Sequence, residues 1–221
     1  MVKMFDNPKR AFLESFFLAL VIFVLGIFLG ISFEDSRLNE INEYYALSEI
    51  SLIDSLALGK MSNLNTFNCS DLVKNNIDFA DKIYEEALLL EKYEQSGDLT
   101  ESLKIAHRKY DVLRTLLWIN VIDTKEKCKK NISSVVYLYE HESEEIGEKA
   151  NQVVWARILF DLKQKYSDKI LLIPISVNSD VSSLDLMTRK LGISKYPAVV
   201  INEKIVLYDL TSLENLEKYL K

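Results

Sequence analysis

The segment LGISKYPAVVINEKIV, residues 191–206, combines the end of a helix with two short strands. Gly192 is a typical helix-stop residue. The β-branched runs on either side of Asn202 and Glu203 predict two strands joined by a turn. Pro197 stands immediately before the first of these strands. The segment therefore predicts a strand hairpin that follows a helix.

The residues before and after this segment alternate between strand and helix patterns. SVVYLYE, residues 134–140, is rich in β-branched and aromatic residues, and KILLIPISVN, residues 169–178, is almost continuously apolar, so both predict strands. Helical patterns occupy residues 143–166 and 179–193, and a last helix follows the hairpin. The order is βαβαββα, which predicts the α/β class with a parallel β-α-β unit.

This order resembles the thioredoxin fold over roughly residues 133–221. Residues 191–206 look like the thioredoxin segment in which a helix ends, a cis-proline follows and a strand hairpin begins. The resemblance implies that Pro197 is that proline, between Tyr196 and Ala198. It also implies that this loop lies where the family pairs its backbone with an extended peptide, so these three residues are the predicted partner-binding loop.

The chain departs from the family at the position of the CxxC motif. Thioredoxins carry that motif directly after the first strand of this unit, where this chain has Ser143, Glu144, Glu145 and Ile146. Dithiol–disulfide exchange needs a nucleophilic thiolate, and none of these residues supplies one. The sequence therefore predicts a thioredoxin-like domain that lacks the redox reaction of the family.

Two long amphipathic segments before this domain predict an αα-hairpin. They run from about Ser70 to Glu94 and over residues 99–122, joined by the short connection QSGD. Cys69 precedes the first helix and Cys128 follows the second, so an antiparallel hairpin brings the two cysteines together. In an oxidising compartment they are expected to form a structural disulfide. A redox-active pair and two free thiols are the alternatives.

Residues 16–33, FFLALVIFVLGIFLGISF, contain no charge and predict a transmembrane helix that occupies residues 11–33. Lys9 and Arg10 precede the helix, and acidic residues follow it. The positive-inside tendency then places residues 1–10 in the cytoplasm and the rest outside. A cleaved signal peptide is the alternative, although no A-x-A-like site follows the apolar run. Membrane lipid is the first predicted partner.

These observations divide the chain into a cytoplasmic terminus, an anchor, a helical region at residues 34–128 and a thioredoxin-like domain at residues 129–221. Gly26 and Gly30 form a GxxxG motif, which would let two anchors pack as a homodimer. Asn68 and Asn131 begin N-x-S sequons that could carry glycans outside the cytoplasm.

Other candidate chemistry is sparse. A net charge of -6 argues against nucleic-acid binding, which needs clustered Lys and Arg. His107 is expected to be a solvated surface residue. His141 stands among Glu140, Glu142, Glu144 and Glu145, a cluster that could bind a divalent cation weakly, but a charged loop without a metal is the preferred interpretation. Trp118 and Trp155 are expected in the core. The residues predict neither a cofactor nor a metal.

The preferred hypothesis is therefore a membrane-anchored extracytoplasmic module that binds protein through the Pro197 loop or the helical hairpin and is not an enzyme. It would act as a scaffold, a chaperone-like holder or a subunit of a membrane complex. The alternative from another class is a thiol–disulfide oxidoreductase or isomerase accessory that uses Cys69 and Cys128. A purely structural spacer is the third hypothesis.

Overall fold

A computed structural model describes residues 8–61, 68–94, 101–128, 132–141 and 143–220. These residues form a mixed α/β structure with six α-helices, one 3₁₀ helix and four strands. They divide into two compact units, and the division falls between Asn42 and Glu43.

The first helix, α1 (Pro8–Met61), contains the predicted anchor. Within the described residues, one stretch, Phe12–Ser36, is long and apolar enough to cross a membrane by length and composition, and its apolar side chains are exposed. Arg10 and Glu14 form an exposed ion pair one helical turn apart, at 3.1 Å. No proline follows before Met61, so the helix also includes residues 36–58, in which apolar side chains recur at a mostly helical spacing.

The second unit contains a four-stranded mixed sheet in the order β2-β1-β3-β4. Its strands are β1 (Ser133–Tyr139), β2 (Ile170–Ser176), β3 (Ala198–Ile201) and β4 (Ile205–Leu207). Strands β1 and β2 are parallel, whereas β3 is antiparallel to both β1 and β4. The predicted parallel β-α-β unit and the order βαβαββα are therefore confirmed.

Helices connect the strands and close the chain. They are α4 (Ile146–Tyr166), a 3₁₀ helix (Ser167–Lys169), α5 (Ser182–Lys190) and α6 (Leu213–Glu217). Trp155, Leu159 and Leu162 of α4 and Leu216 of α6 pack with one face of the sheet in a continuous apolar core. Val135 and Tyr137 supply the β1 side of this core, two residues apart because alternate side chains share a face.

Helices α2 (Cys69–Glu94) and α3 (Glu101–Cys128) form the predicted antiparallel hairpin. The amide of Asn76 on α2 hydrogen-bonds to Thr124 and to Asn120 on α3, which fixes the register of the two helices. Helix α3 ends at Cys128 itself, six residues beyond the predicted end at Ile122.

The hairpin covers β2, which is an edge strand of the sheet. Pro174 lies within β2, and a proline is tolerated there because an edge strand does not need every N–H for pairing. At the end of β2, the carboxylate of Asp111 on α3 accepts a hydrogen bond from the Ser176 N–H at 3.1 Å. Covering an edge in this way protects its unpaired backbone groups from other chains.

Lys125 joins the end of α3 to the sheet. Its ammonium group donates to Ser134 on β1 and to Asn202 and Glu203 in the β3–β4 turn, at 2.9 to 3.0 Å. The two turn residues have φ values of 52° and 57°, which confirms the predicted turn. Glutamate rarely adopts this left-handed region, and the hydrogen bonds from Lys125 and from the Trp118 indole N–H hold it there.

The carboxyl-terminal part of α1 lies against the hairpin within the second unit. Ser48 donates a hydrogen bond to the Glu86 carboxylate, and both residues are buried. The rings of Tyr45 and Tyr110 meet edge to face, with centroids 6.0 Å apart. Burial raises the pKa of the Glu86 carboxyl, and the hydrogen bonds with Ser48 and Tyr110 and the charge of Lys82 oppose this rise.

A raised pKa in the folded protein means that protonation of Glu86 favours folding. The stabilisation is complete below the unfolded value of about 4.3 and is lost as the pH rises through the folded pKa. We therefore expect Glu86→Gln to be increasingly stabilising, relative to wild type, as the pH rises from about 4.5 to 7.5. Thermal unfolding across this range measures the effect.

The exposed Asp78 gives the control, because Asp78→Asn removes one negative charge from the same helix, whereas the charge of Glu85 itself contributes to the raised pKa of Glu86. If the two variants differ from wild type by the same amount at every pH, the assignment to buried Glu86 is contradicted.

Candidate functional site

The predicted partner-binding loop lies at the carboxyl end of β1. The Tyr196–Pro197 peptide bond is cis. Ala198 pairs with Leu138, so the next step along the antiparallel ladder places Pro197 alongside Tyr139. Pro197 and Ala198 are buried and Tyr196 is half-buried. Among the described residues, no loop hydrogen bond between backbone groups involves residues 194–197.

The residues at the predicted CxxC position follow the same end of β1. Ser143, Glu144 and Glu145 precede α4, and Ile146 is its first residue, with 87% of its surface exposed. The Ser143 hydroxyl donates to the Glu148 carboxylate at 3.0 Å. The acidic side chains are favourably placed at the positive end of the helix dipole. Because none of these four residues is a cysteine, the start of the helix has no group that could act as a thiolate.

Asn178 holds the turn that follows β1, and sequence reasoning did not identify it. Its side chain accepts a hydrogen bond from the His141 N–H at 2.9 Å and donates to the His141 carbonyl at 2.6 Å. The Val177 N–H donates to the Tyr139 carbonyl at 2.9 Å. The ends of β1 and β2 are thus tied together. The only signal in the sequence is an asparagine at the end of the predicted strand of residues 169–178.

The two histidines lie together at this end of the sheet. The ring centroids of His107 on α3 and His141 after β1 are 4.2 Å apart, and their planes are tilted by 33°. Both residues are half-buried, so the expectation that His107 is a solvated surface residue is wrong. The expectation failed because helical spacing within α3 does not show which residue of another element, here His141, a side chain contacts. Glu142 lies outside the described residues, among which no group of three His, Cys, Asp or Glu could hold a metal.

A cavity of about 550 Å³ opens beside the histidines, bounded by α2, α3, α4 and the strands β1 and β2. Most of its wall is aliphatic or aromatic, including Leu88, Val153, Tyr137 and Tyr139. The rings of Tyr137 and Tyr139 stack with centroids 5.4 Å apart. Burial raises the pKa of the Tyr137 hydroxyl, which donates to the Gln152 carbonyl at 3.1 Å. Sequence reasoning missed the cavity because five separate elements form it.

The predicted disulfide is present and lies away from this end of the sheet. Cys69 and Cys128 are bonded, with their Cα atoms 5.5 Å apart. On α3, His107 lies near the carboxyl end of β1, and Lys125 lies near the amino end of the same strand. At 1.5 Å per residue, Cys128 is about 30 Å from His107 along the helix axis. The disulfide therefore clamps the base of the hairpin and does not take part in the site.

The two tryptophans and the two sequon asparagines lie outside the candidate site or outside the described residues. Trp118 and Trp155 are fully buried, as expected of core residues. The Asn68 side chain caps α2 by accepting hydrogen bonds from the N–H and hydroxyl of Ser70, and the helix begins at Cys69, one residue before the predicted start at about Ser70. Asn131, the second sequon, lies outside the described residues.

Gly26 and Gly30 lie on α1, where a Cβ built at either position meets nothing within 4 Å among the described residues. Self-association through this motif stays a prediction.

No known protein family, curated protein or solved structure matches the chain.

Proposed function

We propose that the chain is a membrane-anchored module with its thioredoxin-like α/β part outside the cytoplasm. It binds protein through the loop of Tyr196, Pro197 and Ala198, and it carries out no dithiol–disulfide exchange. The observation that carries this proposal is the position of that loop, beside the end of β1 and next to a CxxC position that has no cysteine.

The element order supports the thioredoxin-like assignment. The sequence β1-α4-β2-α5-β3-β4-α6 reproduces the βαβαββα order, and the cis peptide bond before Pro197 directly precedes β3. Both features were expected from the resemblance of residues 133–221 to thioredoxins.

The charges around the apolar part of α1 support the orientation. Arg10 precedes Phe12–Ser36, and Glu34 and Asp35 stand at its end, so the positive-inside tendency keeps the amino terminus in the cytoplasm. The Cys69–Cys128 disulfide agrees with this orientation, because disulfides persist in oxidising compartments outside the cytoplasm.

The backbone around Pro197 supports the choice of binding site. Ser194 and Lys195 are exposed, and the loop uses no backbone hydrogen bonds with other described loop residues. Unpaired N–H and C=O groups next to a strand offer an extended peptide the hydrogen bonds of β-augmentation. A half-buried tyrosine beside them supplies an apolar contact of the kind enriched at protein interfaces.

A photoreactive amino acid at Tyr196 tests the loop in the native membrane. We expect a covalent adduct with another protein, because the side chain borders the proposed binding site. The same probe at Tyr208, which is exposed and follows β4, is the control and should give no adduct. Adduct size is read by denaturing electrophoresis and mass spectrometry.

Pro197→Ala should lower the yield of the Tyr196 adduct about tenfold, since proline fixes the backbone angle at the centre of the loop. Replacing both cysteines by serine should leave the yield unchanged at a temperature where that variant is folded. An unchanged yield in Pro197→Ala would refute the loop as the binding site. Loss of the adduct in the folded double cysteine variant would favour the oxidoreductase hypothesis.

A further inference from the structure

The carboxyl-terminal part of α1, within the second unit, has one buried side and one exposed side. Ser48 donates to Glu86 of the hairpin, and Leu52, one turn later, is also buried. On the opposite side the apolar residues are exposed, with Ile50 at 65% and Ile53 at 58%. The exposed apolar residues form a continuous set, the α1 stripe, which consists of Ala46, Leu47, Ile50, Ile53 and Ala57.

The spacing within the α1 stripe is that of a contact between two helices. Ala46, Ile50, Ile53 and Ala57 follow one another at intervals of four, three and four residues, which is the a/d repeat of a coiled coil. These four side chains share one side of the helix over about 17 Å. A contiguous apolar surface that is exposed in this way marks an interaction site, and an a/d repeat is normally covered by another helix.

The charges that border the α1 stripe are all negative. Glu43 lies at its amino-terminal end, Glu49 and Asp54 lie on its two sides, and all three residues are exposed. Between Arg37 and Lys60 the sequence contains no Lys or Arg. The border of the stripe therefore attracts a cationic partner and repels an anionic one.

Two lysines of the hairpin contact this part of α1 outside the stripe. Lys82 donates to the Ser51 hydroxyl at 3.4 Å, and the Lys109 ammonium lies 4.9 Å from the centre of the Tyr45 ring. Ser51 and Tyr45 are half-buried, so both lysines lie where α1 meets the hairpin. Neither contact involves an acidic residue of the border.

A second copy and a membrane surface both fit these charges poorly. In a parallel pair of α1 stripes, Glu49 of one copy would face Asp54 of the other, because g and e positions meet across a coiled coil, and the like charges would repel. Helices that lie on a membrane surface bind anionic lipid through Lys and Arg, and the exposed side of α1 has acidic residues instead.

We propose that the α1 stripe binds a helix of another protein whose apolar side is bordered by lysine or arginine. Apolar side chains of that helix pack against Ile50 and Ile53, and its cations pair with Glu49 and Asp54. This inference does not depend on the Pro197 loop or on the orientation in the membrane.

A designed three-heptad peptide with Leu at a and d and Lys at e and g is the probe. The labelled peptide is titrated with the full-length protein in nanodiscs of neutral phosphatidylcholine, and binding is followed by fluorescence anisotropy. We expect saturable binding, and a peptide with the same Leu residues but Glu at e and g should bind at least about tenfold more weakly. Absence of saturable binding by the lysine peptide, or equal affinity for the two peptides, overturns the proposal.

Two double variants locate the binding site. Ile50→Ser combined with Ile53→Ser should weaken binding of the lysine peptide at least about tenfold, because it removes the apolar centre of the stripe. Ile105 and Ile119 on α3 are also exposed, so Ile105→Ser combined with Ile119→Ser is the matched control and should leave the affinity unchanged. Thermal unfolding checks that both variants are folded. Equal affinities in the two folded variants overturn the location.

Glu49→Lys combined with Asp54→Lys tests the charge match. This variant should bind the glutamate peptide more tightly than the lysine peptide, because the two sides of the stripe have become positive. An unchanged preference for the lysine peptide overturns the role of Glu49 and Asp54. Light scattering of the wild-type protein in detergent measures its oligomeric state. A dimer that is lost when Ile50 and Ile53 are both replaced by serine would overturn the proposal in favour of a second copy as the occupant.

Discussion

Replacing Cys69 and Cys128 by serine is expected to lower the free energy of unfolding by about 4 kcal/mol. The two residues are 59 positions apart, and a cross-link that closes a loop of this length removes that much conformational freedom from the unfolded chain in the chain-entropy model. For a chain of this size the midpoint of thermal unfolding should fall by roughly 10 °C. Thermal unfolding of the oxidised protein and of the double variant in the same nanodiscs measures the difference.

The single variant Cys69→Ser is the control for this effect. If the loss comes from the cross-link, the single variant should be as unstable as the double variant, because either substitution removes the same bond. Additive losses from the two single variants would contradict the disulfide as the cause.

Thiol alkylation of the protein extracted from its membrane gives an independent measurement. A pair that stays protected without reductant supports both the disulfide and the extracytoplasmic side, whereas two free thiols in rapidly trapped protein contradict both. Ready reduction by mild thiol buffers would favour the oxidoreductase hypothesis.

Replacing Lys125 by methionine is expected to lower the free energy of unfolding by about 3 kcal/mol, at the lower end of the range for breaking a buried ion pair. The Lys125 ammonium and the Glu203 carboxylate are 3.0 Å apart, and both side chains are mostly buried. Without the ammonium, Glu203 keeps a poorly solvated charge and a strained backbone, and Asn202 loses a hydrogen bond. Urea unfolding of the variant and of wild type measures the loss.

Lys127→Met provides the matched control. Lys127 lies one turn from Asp123 on the same helix, and their ion pair at 2.8 Å is far more exposed to solvent. Removing an exposed pair typically costs less than about 1 kcal/mol. We expect Glu203→Gln to restore part of the stability of Lys125→Met, because it removes the unpaired charge. Equal losses in the two lysine variants would contradict the role assigned to Lys125.

The Cys69–Cys128 disulfide and Lys125 lie in the same part of the molecule, at the junction between the hairpin and the sheet. The disulfide closes the base of the hairpin at Cys128, and Lys125, less than one turn earlier, binds the hairpin to β1 and to the β3–β4 turn. Substitution of either cysteine or of Lys125 should therefore weaken the packing of the hairpin against β2. The cavity has α2 and α3 among its walls, so its shape depends on that packing.

The sequence by itself determined the features that depend on local pattern. The apolar run after Arg10 predicted a membrane-spanning helix by length, and alternating or continuous β-branched runs predicted β1, β2 and the β3–β4 hairpin. The cysteine pairing was also predictable, because two helices of similar length joined by a short connection bring their outer ends together.

The tertiary structure decided everything that depends on which distant residues meet. The pattern of β2 indicated a buried strand, but only the packing of the hairpin shows that it is an edge strand covered by helices. The His107–His141 contact and the cavity bounded by three helices and two strands likewise join residues from separate elements. Local periodicity fixes which face of an element is apolar, but not which element covers it, because that choice depends on long-range packing of the whole unit.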